Sequence, residues 1–142
     1  MKAIFKLYLL TILTAFSFGQ IEDGCDLPDF NLYLTDSGDV LYNSSADIAG
    51  IQFNVDGASV LAVGGGDAAA AGFTLSSGAN TVLGFSFSGA VIPAGCGTLL
   101  ELDLDGDASG LSDIIMAGAG GTALDFGYFD LSENRVLLRS TH

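Results

Sequence analysis

The chain has 142 residues, of which 49% are hydrophobic, and a formal net charge of −13 with only four Lys and Arg residues. A surface so poor in cations repels phosphates and anionic lipid headgroups, which disfavours binding to nucleic acid or to a membrane surface. Divalent cations and cationic protein surfaces are its natural electrostatic complements.

Residues 1–19 have the pattern of a secretory signal peptide. Lys2 and Lys6 precede a short apolar run, and the small residues Ser17 and Gly19 precede a predicted cut before Gln20. The run is too short for a comfortable membrane span. We therefore predict a secreted or cell-surface protein with no membrane segment in its mature form. Its parts are one module over residues 20–130 and a C-terminal strand or tail over residues 131–142.

The predicted mature chain contains two cysteines, Cys25 and Cys96. Export permits a disulfide, and the pairing would tie the N-terminal segment to the middle of the chain. Closing a loop of about 70 residues would stabilise the fold by roughly 4 kcal/mol. Two free thiols are the alternative.

Short apolar and polar alternations follow one another along the module and predict strands. Outside the central region these strands are 30–34, 40–43, 48–56, 58–63, 72–76, 111–117 and 123–128. The clearest is 48–56, in which Ile51, Phe53 and Val55 point inward. Asp56-Gly57 predicts a turn after it, and Asp67 is placed to cap one helical turn.

The central region, Thr81 to Asp107, predicts two strands that face each other across a Pro- and Gly-rich turn. One arm alternates apolar residues with Gly and Ser, and the other alternates leucines with acids. The apolar sets are Leu83, Phe85 and Phe87 in the first arm and Leu100, Leu102 and Leu104 in the second. We expect both sets to face the core, together with Phe53, Phe73 and Phe126.

Turn signals every eight to twelve residues and the near absence of helical periodicity define the fold class. We predict an all-β protein, a jelly-roll-like antiparallel β-sandwich of about eight to ten short strands. A barrel is the alternative.

Three acids at alternate positions, Asp103, Asp105 and Asp107, resemble the opening of a calcium loop. An EF-hand would need Gly at Ala108 and an acid at Ile114, and both are missing. The competing interpretation is that Glu101, Asp103 and Asp105 form the solvent side of a strand. We predict no cofactor, and calcium stays an open alternative.

Catalysis is disfavoured because the only histidine, His142, is the last residue and the predicted mature chain contains no lysine. Gly118 to Ala123 matches a dinucleotide fingerprint, but too few residues follow it for the rest of that fold. Sugars commonly stack on exposed aromatic rings, and Tyr33 and Tyr42 are the candidate ligand-binding residues. Of these, Tyr33 lies opposite the apolar side of its strand.

Four segments taken together resemble the strand order of cohesin modules and of related carbohydrate-binding sandwiches in secreted bacterial proteins. They are 48–55 (IAGIQFNV), 71–73 (AGF), 85–89 (FSFSG) and 97–102 (GTLLEL). The resemblance implies a sandwich that acts by recognition outside the cytoplasm and engages its partner through one sheet face. Our hypothesis is a non-catalytic scaffolding or adhesion module for an extracellular protein. The alternative is a carbohydrate-binding module, helped by calcium, that recognises a polysaccharide.

Overall fold

The computed structural model describes residues 21–131, and Asp23–Asp130 form one compact unit. The predicted signal peptide and nearly all of the predicted C-terminal strand or tail lie outside the described residues. The unit is all-β, as predicted. Its strands are β1 (Asn31–Leu34), β2 (Asp39–Ser44), β3 (Ile48–Gly64), β4 (Thr74–Gly78), β5 (Thr81–Phe85), β6 (Gly95–Gly118), β7 (Ala123–Leu124) and β8 (Gly127–Tyr128), with one helical turn, α1 (Gly66–Ala70).

The strands form a single hydrogen-bonded sheet in the order β4-β5-β3-β6-β2-β1-β8, with β7 paired to β6. All neighbours are antiparallel except β1 and β8. The long strands β3 and β6 pair along most of their length and form the centre. Two groups of strands extend from this pair. The first wing is β4, β5 and the adjoining parts of β3 and β6 (48–56 and 110–118), and the second wing is β1, β2, β8 and residues 95–101 of β6.

The predicted central hairpin is wrong. Its two arms are β5 and the first part of β6, and they do not pair with each other, because β3 lies between them. The first arm pairs with residues 50–54 of β3. The second arm pairs with β2 over residues 95–101 and with residues 58–64 of β3 over residues 101–106. The Pro- and Gly-rich stretch between the arms is therefore a crossover from one edge of β3 to the other.

The prediction of uniformly short strands is also wrong for β3 and β6, which have 17 and 24 residues. Gly57, which predicts a turn, lies inside β3, and Gly106 lies inside β6. Gly57 (φ +89°) and Gly106 (φ +117°) adopt a backbone conformation that L side chains rarely take. The register between the strands shifts at 56/58, beside Gly57. An extra residue at such a point bends a strand without ending it.

One hydrophobic core joins the two wings. Leu32 and Tyr42 of the second wing belong to the same buried cluster as Phe53 and Val82 of the first. The predicted inward residues of β3 are confirmed, since Ile51, Phe53 and Val55 are at most 3% exposed. The described sheet is continuous, and its division into the two layers of a sandwich remains a prediction.

The predicted disulfide is confirmed. Cys25 lies in a 3₁₀ turn (Gly24–Asp26), Cys96 lies near the start of β6, and their Cα atoms are 5.0 Å apart. The predicted helical turn is present as α1, but Asp67 does not cap it. Asp67 instead accepts a hydrogen bond of 2.6 Å from the Tyr42 hydroxyl. The disulfide connects the 3₁₀ turn to β6, and this hydrogen bond connects α1 to β2.

Candidate binding face

The side chains of β5 face the opposite way from the prediction. Leu83 and Phe85 are 40% and 39% exposed, and Phe87, just beyond the strand, is 84% exposed. The core side of the strand is formed by Val82, which is fully buried, and by Gly84. Because side chains alternate with a period of two, a shift of one residue moves the whole apolar set from the core to the surface.

The environment of Gly84 explains why this set faces outward. A Cβ atom at this position would lie 2.8 Å from Leu75 Cδ2 and 3.4 Å from Ile51 Cδ1. The neighbouring strands β4 and β3 thus fill the core next to β5 with their own large side chains. A large residue in the same phase as Gly84 would have no room, so the bulky residues of β5 point to the other side.

The exposed apolar residues come together on the outer side of the first wing. Gln52 of β3 pairs with Leu83 on one side and with Ile115 of β6 on the other. Directly paired residues project from the same side of a sheet, so Leu83 and Ile115 flank Gln52. Ile115 is 59% exposed. We call the surface formed by Leu83, Phe85, Phe87 and Ile115 the apolar face.

The apolar face contains an aromatic pair and no charge. The rings of Phe85 and Phe87 meet edge to face, with centroids 4.8 Å apart and planes at 76°. Phe85 pairs with Gly50, which pairs in turn with Ala117, so small residues leave the surface beside it open. Two rows of directly paired residues cross the face. One row is Thr74, Phe85, Gly50 and Ala117, and the other row is Ser76, Leu83, Gln52 and Ile115.

A hydrogen-bonded polar border lies at the end of the apolar face nearest the β4–β5 turn. The Thr81 hydroxyl donates to Asn54 Oδ1 at 2.7 Å, and Asn54 Nδ2 donates to Asp113 Oδ2 at 2.9 Å. These polar groups are fixed by one another next to exposed hydrophobic side chains. An apolar centre with a polar rim is the usual composition of a protein interface.

The two tyrosines predicted to bind a ligand have different environments. Tyr42 is 2% exposed and belongs to the core, so its ring is not accessible to a sugar, contrary to the prediction. Burial, the hydrogen bond to Asp67 and the charge of that carboxylate raise the pKa of Tyr42 far above its ordinary value. Tyr33 is half-buried and stacks on Tyr128, with ring centroids 6.1 Å apart and planes at 18°.

Tyr128 is held by the backbone as well as by Tyr33. Its hydroxyl oxygen accepts a hydrogen bond from the Leu34 N–H at 3.4 Å. Burial is the main cause that raises its pKa, with smaller contributions from Tyr33 and nearby carboxylates. The Tyr33–Tyr128 pair therefore forms an ordered aromatic surface on the second wing, distant in the sheet order from the apolar face.

The acids predicted to bind calcium lie along one side of β6. Asp103 and Asp105 are exposed, and they pair with Ala62 and Ser59 of β3. Asp107 is also exposed. Within residues 21–131, no three His, Cys, Asp or Glu side chains come close enough together to hold a metal ion. The geometry thus agrees with the competing interpretation of a solvated strand surface, and it gives calcium no support at these residues.

No protein-family model, curated protein or solved structure matches the chain. The resemblance to cohesins and carbohydrate-binding sandwiches therefore stays a prediction. In the part of the chain that the structure describes, no helix has the length and hydrophobicity needed to cross a membrane.

Sequence reasoning missed the apolar face because Leu83, Phe85 and Phe87 repeat at the spacing expected of a core strand. One signal in the sequence pointed to the other phase. Val82 and Gly84 form the alternative set of alternate positions, and Val is a strong strand former. The set of large apolar residues ends at Phe87, which is followed by Ser88-Gly89, a dipeptide typical of the end of a strand. Ile115 was missed because Asp113, with φ +51°, shifts the phase of β6 just before it.

Proposed function

We propose that this protein is a secreted, non-catalytic recognition module that binds an extracellular protein partner through the apolar face. The observation that carries the proposal is the exposure of Leu83, Phe85, Phe87 and Ile115 together on one uncharged surface. Large apolar side chains that cluster on a surface otherwise rich in carboxylates are typical of a protein interface. Aromatic residues are also the most frequent anchors of binding energy.

Two further features support recognition outside the cytoplasm. The Cys25–Cys96 disulfide is of the kind that persists in oxidising compartments. Residues 21–131 contain no His, Lys or Arg, which leaves nucleophilic catalysis without its usual base. In this proposal the fold is a jelly-roll-like sandwich of the cohesin type, and the first wing supplies the sheet face that engages the partner.

Site-specific photo-crosslinking tests the proposal. A photoreactive amino acid at Phe87 is expected to capture one or a few partners from the secreted and surface proteins of the producing cell. The same group at Leu61, which is 62% exposed but outside the apolar face, is the matched control. Capture at Phe87 that is lost in the Phe85→Ser and Ile115→Ser double variant supports the proposal. Equal capture from both positions contradicts it.

Carbohydrate binding is the second candidate function, and the ordered Tyr33–Tyr128 pair is the observation that favours it. Stacked rings at a half-buried position provide a rigid surface for a sugar ring. A glycan array with and without calcium, run on the protein and on Tyr33→Ala, tests this candidate. Binding that depends on Tyr33 supports it, and a blank array contradicts it.

A further inference from the structure

Among residues 21–131, β4 is an open edge of the sheet. It ends the strand order on the first wing, and within those residues it pairs with β5 alone. Its sequence, TLSSG, contains no Lys, no Pro and no acid, and all its residues except Leu75 are exposed. Natural sheets usually protect such edges with charges, prolines or very short strands. The opposite edge follows that practice, since β8 has only two residues.

The hydrogen-bonding groups of β4 that point outward are those of Leu75 and Ser77. Gly78 pairs with Thr81 across a two-residue turn, and in such a turn the closing pair is hydrogen-bonded. Alternate pairs of an antiparallel ladder are then hydrogen-bonded as well, and the residues between them point their N–H and C=O groups to the other side. The Val55 N–H donates to Asn80 O at 2.8 Å, on the β3 side of the hairpin, which agrees with this phase.

The open edge continues directly into the apolar face. Thr74 and Ser76 pair with Phe85 and Leu83, so their small side chains project from the same side of the sheet. A strand added beside β4 would place every second side chain next to Thr74 and Ser76. Phe85 and Leu83 lie one strand further in, about 10 Å from the added strand, and their own large side chains are separated from it only by the small side chains of β4.

The charge of the module selects the partner. Residues 21–131 contain every acid of the chain except Glu133, and no Lys, Arg or His. A basic segment is therefore attracted, whereas a second copy of this acidic module is repelled. We propose that β4 takes up an extended segment of a basic partner protein as an additional strand. The segment has apolar side chains on the apolar face and Lys or Arg at the alternate positions.

This inference rests on the proposed function and adds the mode of binding and the chemistry of the partner. Strand addition is an established mode of peptide recognition, in which backbone hydrogen bonds provide affinity and alternate side chains provide specificity. Here Leu75 and Ser77 would provide the hydrogen bonds, and Leu83 and Phe85 the contacts for alternate side chains.

A heptapeptide of alternating Lys and Val, titrated into the purified oxidised protein, tests the inference. The bound peptide is expected to slow hydrogen exchange at the Leu75 and Ser77 amides. The added strand is antiparallel to β4, the orientation of all neighbouring strands in the sheet except β1 and β8. In this orientation the residues that bond to Leu75 and Ser77 lie directly opposite them and project away from the apolar face. The valines belong on the apolar face, so the lysine amides are the ones that bond to β4. N-methylation of the lysine amides is expected to weaken binding at least tenfold, whereas N-methylation of the valine amides leaves it nearly unchanged. An alternating Glu and Val peptide is expected not to bind.

A variant of the protein gives an independent reading. Ser77→Pro removes an outward N–H and leaves the β5 ladder intact, so binding of the Lys/Val peptide is expected to fall about tenfold while the fold is kept. Binding of the Lys/Val peptide that is unchanged both by N-methylation of its lysine amides and by Ser77→Pro overturns strand addition. So does slow exchange at Leu75 and Ser77 that depends on protein concentration alone, which would place a second copy on the edge. If strand addition is overturned but photo-crosslinking shows specific capture at Phe87, the proposed function stands with another mode of binding. If capture at Phe87 also fails, the proposed function and strand addition are both overturned.

Discussion

The disulfide region of the second wing and the apolar face of the first wing differ in what their side chains contact. The first is held by contacts within the chain, and the second exposes large apolar side chains to solvent. Around the disulfide, Gly24 lies against the carbonyl oxygens of Gly97 and Tyr42, and the Tyr42 hydroxyl is hydrogen-bonded to Asp67. On the apolar face, Phe87 and Ile115 are 84% and 59% exposed. The comparison teaches that the disulfide region uses its contacts to hold the chain together, whereas the outer side of the first wing leaves large apolar side chains available for contacts outside the chain.

Removing the disulfide is the largest expected perturbation of this comparison. The double variant Cys25→Ala and Cys96→Ala releases a link across a sequence separation of 71 residues. We expect the free energy of unfolding to fall by about 4 kcal/mol, because the unfolded chain regains the entropy of the open loop. Urea unfolding measures the loss, and the wild-type protein treated with a thiol reductant is the control. A loss below about 1 kcal/mol would contradict a clamping role.

Gly24→Ala tests the packing of the same region. A Cβ atom at this position would overlap the backbone carbonyl oxygens of Gly97 and Tyr42, which are unable to move aside as a flexible side chain would. We expect a destabilisation of about 1–3 kcal/mol. Gly78→Ala is the matched control, because nothing lies within 4 Å of its Cβ position and its φ is not positive. Equal thermal stability of the two variants would refute the close packing at Gly24.

The Tyr42–Asp67 pair predicts how stability depends on alkaline pH. The folded protein holds the Tyr42 proton well above the ordinary pKa of 10.0, whereas the unfolded chain releases it near that value. Above about pH 10 the unfolded state therefore binds fewer protons, and the free energy of unfolding falls by up to about 1.4 kcal/mol per pH unit. Tyr128, whose pKa is also raised, adds to the fall.

Tyr42→Phe sharpens this measurement. The variant is expected to lose about 1 kcal/mol at neutral pH with the hydrogen bond, and to show a shallower fall above pH 10. Denaturant unfolding at several pH values gives both quantities. A fall as steep as in the wild-type protein would mean that Tyr42 is not the group responsible.

The smallest expected change in stability belongs to the apolar face. Phe87→Ser replaces a ring that is 84% exposed, so the free energy of unfolding is expected to change by no more than about 0.5 kcal/mol. Phe53→Ala, in the fully buried core of the same wing, is the contrast, with an expected loss of about 3–5 kcal/mol. Comparable losses for the two variants would show that Phe87 is packed inside.

The sequence was informative where alternation has one interpretation. In β3, large apolar residues occupy one phase and polar residues the other, so the burial of Ile51, Phe53 and Val55 could be predicted. The disulfide followed from two cysteines and a predicted export signal. These features depend on local pattern or on simple counting.

The rest depends on contacts between distant strands, which a local pattern does not contain. The phase of β5 is decided by Leu75 and Ile51, which fill the space next to Gly84. β6 pairs with β3 on both sides of Gly57. The dipeptide Asp56-Gly57 predicts a turn there, but β3 bends at this point and continues. The sequence predicts a ligand site at Tyr42 because it does not show that the Tyr42 hydroxyl is hydrogen-bonded to Asp67.

The orientation of β5 is the claim on which the binding proposals depend, and NMR relaxation in the presence of a soluble paramagnetic agent tests it most directly. The methyl groups of Leu83 and Ile115, on exposed side chains, are expected to broaden strongly. Those of Val82 and Ile51, at 0% and 3% exposure, are expected to stay sharp. The opposite result, with Val82 broadened and Leu83 protected, would contradict the account and remove the apolar face.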